Sequence, residues 1–218
     1  MIGAQRAGRL AGTSLHLNQG IAGNRRREGQ EMPIINVQEL FAHELGEIYD
    51  AEHRFLDGQV RMVHRATDGD LQRSIENHIL QTRQHIGNLE QFFRELGEEP
   101  RRETNEAAQG LVSEAEQSIG EAQSGALRDC AINAAIIKVE HFEIGSYRGL
   151  VTGARLMMGE SEAVKNLLET NLQQEEETAR TAEQSAEELL QKAMRAEAPE
   201  QEGLADKMSR LKDRLTGQ

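Results

Sequence analysis

At 218 residues, with a formal net charge of -12 and no tryptophan, the chain suits one domain of ordinary size flanked by tails. The negative balance repels nucleic acid and anionic lipid, so neither DNA or RNA binding nor membrane association is expected. The single cysteine, Cys130, excludes an internal disulfide framework and any cysteine-rich zinc or iron–sulfur site, and reads as a small buried hydrophobe in a reducing, cytoplasmic setting.

Aromatic residues make up 3% of the chain, too few for a strand-rich core, whereas alanine, glutamate, glutamine and leucine abound, which predicts an all-α fold. Residues 1–33 are rich in glycine, arginine and glutamine, carry no acid before Glu28 and lack the apolar run of a secretory signal. They read as a disordered N-terminal extension in which Arg25, Arg26 and Arg27 are simply solvated. Helical periodicity begins after Pro33, with Asn36 as N-cap, and runs to about Ala66. A break at 67–70 leads to a second helix from about Leu71 to Leu96, stopped by Gly97 and Pro100. So short a link makes the two helices antiparallel.

Residues 97–125 form a long polar connection in which Leu111, Val112, Ala115 and Ile119 predict one short helix. A third long helix spans about Ala126 to Arg155, and after Met157, Met158, Gly159 and Glu160 a fourth runs from about Ser161 to Ala196. Pro199 and Gly203 are expected to interrupt a charged tail over 197–218, with Leu204, Met208 and Leu211 forming a weak terminal helix. The domain is therefore 34–196, two antiparallel pairs joined by one crossover, the connectivity of a four-helix bundle of the ferritin-like kind.

All four long helices interrupt an apolar stripe with polar groups that a bundle would bury. The stripes read Phe41, Leu45, Ile48, Glu52, Phe55; then Leu71, Ile75, His78, Thr82, His85, Leu89; then Ile132, Ile136, Val139, Glu140, Glu143, Tyr147, Leu150; and Val164, Leu168, Leu172, Glu175, Ala179, Ala182. A lone buried carboxylate costs several kcal/mol or takes up a proton, so several converging in one core point to cations that hold them there. Oxygen donors with an imidazole suit iron or manganese, one or two ions per chain. Glu52, His85, Glu140, Glu143 and Glu175 are the expected ligands. Gln81 flanks the second stripe as a weak amide donor. His78 reads as structural or as lying near the bundle end, and Asp50, His53 and Arg54 as surface residues. The bland alternative has Glu140 and Glu143 on a flank, paired with Lys138, Arg148 or Arg155. Tyr49 and Tyr147 are candidates for a hydrogen bond or an electron beside the centre.

The segments Val37-Gln38-Glu39-Leu40-Phe41, Ile48-Tyr49-Asp50-Ala51-Glu52, Gln81-Thr82-Arg83-Gln84-His85-Ile86 and Lys138-Val139-Glu140-His141-Phe142-Glu143-Ile144-Gly145-Ser146-Tyr147 resemble the YciE/YciF family of bacterial ferritin-like proteins over residues 34–194. The resemblance implies a usually dimeric bundle with a dinuclear metal site, associated with stress responses. It places ligands at Glu52, His85, Glu140, Glu143 and Glu175. The family commonly has glutamate where this chain has Gln81, and an acidic pair where it has Gln174-Glu175. Three readings stand open: a metal protein that reacts with peroxide or dioxygen or oxidises Fe(II), a non-enzymatic stress or scaffold protein whose depleted centre persists as a polar network, and a metal store.

Overall fold

The computed structural model describes residues 33–216 and, to residue 197, nearly all of their side chains; the expected disordered extension over 1–32 lies outside the described residues. The chain forms α1 (Val37–Val63), α2 (Gly69–Glu95), α3 (Glu106–Glu121), α4 (Gly125–Met158) and, after a π-helical turn over Val164–Glu169, α5 (Thr170–Thr216). Among the described residues there is no strand, and no helix is long and apolar enough to cross a membrane.

Helix starts are set by side chains that satisfy otherwise orphaned amides. Asn36 accepts from Glu39 N, Asp68 from the amides of Asp70 and Leu71, Asn105 from Ala108 N and Ser124 from Leu127 N. Gly159, with φ of 69°, closes α4 in a region that favours glycine. The interruption expected at Pro199 and Gly203 does not end a helix: α5 continues to Thr216, so residues 197–216 extend the fourth helix.

Cross-helix contacts fix the directions. Gln59 meets Thr82 and Tyr49 meets Glu90, so α1 and α2 are antiparallel. Asn133 donates to the Ala182 carbonyl and Arg148 pairs with Glu176, so α4 and α5 are antiparallel too. Across the bundle, Phe55 stacks edge-on against Phe142 from α4, and Asp68 pairs with Lys192 from α5. The diagonal pair α2 and α4 therefore runs parallel, and the chain must travel back along the bundle between them. Helix α3, 16 residues and about 24 Å long, makes that return. It is pinned at its start by Asp50, which receives Arg54, Arg102 and the Asn105 amide. Asp50 is thus buried, not a surface residue as expected, because the crossover closes over it.

Two apolar cores fill the bundle. One holds Phe41, Leu45, Phe92, Phe93, Leu150 and Leu168, the other Met62, Ile75, Ile119, Ile132 and Leu189. Between them, at mid-height, lies a polar layer.

Candidate metal centre

Every stripe residue read as inward is buried apart from half-buried Leu172, so the helical phase turns the layer's side chains toward the bundle interior. From α1 comes Glu52; from α2, His78 and His85, seven residues apart on one face; from α4, Glu140 and Glu143, three apart; and from α5, Glu175. These six form two overlapping groups. His78, Glu140, Glu143 and Glu175 can each bring one donor atom within 4.8 Å of the others, and so can Glu52, His85 and Glu175. Glu175 belongs to both, which suits it to bridge.

The flank reading of Glu140 and Glu143 is overturned, since the cations that would have paired with them are taken. Lys138 pairs with Glu114, Arg148 with Glu176 and Arg155 with Glu169. His78 is corrected as well: its Nε2 stands 3.0 Å from Glu140 Oε1, inside the layer. Its signal was present in the sequence, because seven residues is two helical turns and keeps His78 on the face of His85. Gln81 is half-buried, and its Oε1 accepts from Thr178 Oγ1 at 3.5 Å. The two tyrosines also separate. Tyr147 is fully buried and donates to Glu52 Oε1, whereas Tyr49 donates to Glu90 on the far side of α1 and packs against His53 and Phe93.

Residues outside the expected set orient the layer. Gln174 Oε1 lies 2.7 Å from His85 Nε2, and Asn171 Nδ2 donates to the Tyr147 hydroxyl at 2.9 Å while accepting from Asn88 at 2.7 Å. Thr82 links Gln59 to the His78 carbonyl, with both contacts at 3.0 Å. Amides on a polar-rich helix face carry little signal in a sequence, and their roles emerge only from the packing.

Electrostatics within the layer are severe. Burial pushes the imidazoles down, but Glu140 and then Glu175 outweigh it at His78, raising it to about 9, and Glu52 with Glu175 raises His85 to about 11. Burial drives Glu140 up to about 8 against the pull of His78, and drives Glu143 well above the carboxylate range, helped by repulsion from Glu175, Glu52 and Glu140. Glu52 is likewise raised by burial despite His85. At Glu175 burial is outweighed by His85 and His78, which hold it low.

Close approach is not the same as satisfaction. His85 Nδ1 lies 2.8 Å from Glu175 Oε1 without the alignment of a hydrogen bond. Both ring nitrogens of His78, both oxygens of Glu175, and Oε2 of Glu52, Glu140 and Glu143 also lack hydrogen-bond partners although buried. Such a concentration of orphaned donors and acceptors is rare in a folded core. Four carboxylates and two imidazoles, converging with their lone pairs unspent, fit a pair of divalent cations, which the four negative charges would balance.

Comparison with known proteins gives a consistent result. The domain family DUF892, a domain of unknown function, matches residues 36–195. Protein YciF of Escherichia coli strain K12 is 30% identical over 148 residues, spanning 67% of this chain and 88% of YciF. The crystal structure of that stress protein superposes with a TM-score of 0.68 at 28% identity, covering 73% of this chain and 99% of YciF. YcfI of Rhodopseudomonas palustris, named as a candidate structural protein, superposes with a TM-score of 0.66 at 31% identity over 69% of this chain and 94% of its own. The Xanthomonas campestris protein XCC3681, at 22% identity and a TM-score of 0.60 over 75% of this chain and 99% of its own, shares the fold.

Proposed function

The chain belongs to the DUF892 family, that of the stress protein YciF, and from that premise we propose that its polar layer is a dinuclear iron or manganese centre serving the stress role. The observation that carries this reading is the sharing of Glu175 between two buried donor groups, each of whose residues keeps at least one buried donor or acceptor atom without a hydrogen-bond partner. His78, Glu140 and Glu143 would hold one ion with Glu175, and Glu52 and His85 the other. When bound, such ions supply one-electron chemistry toward peroxide or dioxygen, or accept electrons from Fe(II).

The chain's own groups prepare the layer for that task. The two apolar cores exclude water from both ends of it. Tyr147 keeps a proton poised at Glu52 Oε1, and Asn171 fixes the phenol from its other side. Gln174 accepts from His85 Nε2, so that an ion displacing the other proton would meet the lone pair of Nδ1 beside Glu175.

A second reading takes the layer as a purely architectural network in a scaffold protein. Two amides where the family commonly has acids, Gln81 and Gln174, favour it, as does the naming of YcfI as a candidate structural protein. Elemental analysis of protein purified without chelator decides between the two. About two iron or manganese atoms per chain are expected under the metal reading, and content near zero that does not rise on loading with Fe(II) or Mn(II) would sink it.

A further inference from the structure

A narrow cleft reaches the layer from the side of the crossover. Phe55, Gly58, Gln59 and Met62 of α1 form one wall, Ile136 and Val139 of α4 the other, His78 and Glu140 lie at its floor, and Val112 of α3 stands at its mouth. The walls are almost wholly hydrocarbon. The one amide among them, Gln59, is tied to Thr82 and so does not offer its polar end to the opening. Gly58 contributes to the width: a Cβ built there would come within 3.8 Å of Met62 Cε and 3.9 Å of Val112 Cγ2, filling space without a clash.

Walls of this kind discriminate by charge. A hydrated divalent cation would have to shed its water shell against hydrocarbon to pass, which is costly, whereas a small uncharged molecule meets no such penalty. Resting on the metal reading above, we propose that this cleft admits a small uncharged reactant of the dioxygen or hydrogen peroxide class to the His78–Glu140 side of the centre, and that Val112 and Gly58 set its aperture. The crossover helix thus has a role beyond connecting two helix pairs. It carries the side chain that narrows the entrance.

The test uses the full chain. Protein loaded anaerobically with Fe(II) is mixed with nitric oxide, an uncharged diatomic probe, and the association rate is followed by absorbance; hydrogen peroxide consumption is measured alongside. Uptake of Co(II) by the metal-free protein is timed separately as a readout of cation entry. Val112→Phe is expected to slow nitric oxide association about tenfold and Val112→Ala to speed it, because in a close-packed wall one side chain decides the gap. Gly58→Ala, which favours the helix and so leaves the fold intact, is expected to slow it about threefold. Co(II) uptake should stay within the wild-type range in all three. Unchanged nitric oxide rates in Val112→Phe and Gly58→Ala, with iron bound normally, would overturn the route alone, and equal slowing of Co(II) would overturn its selectivity for uncharged molecules. Failure of the wild-type chain to bind iron at all would remove the metal reading and the route together. If peroxide and nitric oxide respond differently to the same substitution, the slower-responding reactant enters elsewhere and the cleft serves the other.

Discussion

Gln174 and His85 stand 2.7 Å apart, amide oxygen to Nε2, and this single contact decides which nitrogen of the ring is free. A carbonyl oxygen accepts but does not donate, so in the neutral ring the proton rests on Nε2 and the lone pair on Nδ1. Gln174→Leu removes the acceptor and lets the ring change tautomer. Metal affinity is expected to fall about 10- to 100-fold, beyond the loss of about 1–3 kcal/mol in the chelated protein that the stranded Nε2–H brings. Titration calorimetry with Mn(II) measures the first and a chelated melting curve the second; an unchanged affinity would make Gln174 a bystander.

Glu175 contributes to both donor groups and Glu52 to one. Glu175→Gln should therefore reduce metal content from about two ions per chain to almost none, and Glu52→Gln from about two to about one. Elemental analysis of the two purified variants distinguishes them. Equal losses would mean that the groups do not bind separately.

Proton uptake gives the metal-free protein a particular pH profile. His78, His85 and Glu140, raised to about 9, about 11 and about 8, bind their protons more tightly folded than unfolded. Their contribution is complete below the unfolded values and is lost as pH climbs through the folded ones. Glu175, shifted down, acts in the opposite sense, and its contribution is lost only as pH falls through its lowered value. The thermal midpoint in chelator should drop progressively from above the unfolded values, 4.5 for Glu140 and 6.5 for the histidines, until about pH 11, and added Mn(II) should remove most of that drop, because bound cations replace the same protons. A chelated midpoint that holds steady across this range would contradict the electrostatics of the layer.

The two tyrosines predict different costs. Tyr147→Phe strands a buried Glu52 oxygen and an Asn171 amide, and should destabilise the protein by about 1–3 kcal/mol in urea. Tyr49→Phe loses one bond to half-buried Glu90, whose carboxylate can turn to water, and should cost no more than about 1 kcal/mol. Similar losses from both substitutions would remove the distinction.

Much of this architecture was legible in the residues alone. Four stripes with period near 3.6 fixed the inward faces, and Glu52, His85, Glu140, Glu143 and Glu175 all turn to the level where those faces meet. What escaped depends on partners far apart in the chain. His78 lies on the right face, but only the parallel alignment of α2 with α4 brings it to Glu140. Asp50 shares a helix face with exposed Asp57 and Arg61 and is buried because the crossover folds over it, a contact that periodicity within α1 does not encode. Tyr49 and Tyr147 each sit near a Glu-His pair in the sequence, yet Tyr147 reaches the layer while Tyr49, equally a core residue, turns to Glu90.

Both histidines come from α2 and both paired carboxylates from α4, so the two halves of the centre are unlike. One half gathers His78 with three carboxylates, the other His85 with two, and the count includes Glu175 in each. Under the metal reading, the unequal number of carboxylates would rank the halves: the richer one would fill first and retain its ion longer. Under scarce metal, a population of these molecules would hold one ion each in the same seat, and the vacant seat beside it could accept a different element. Mixed occupancy would then be a built-in property of the asymmetry, with the identity of the second ion set by supply.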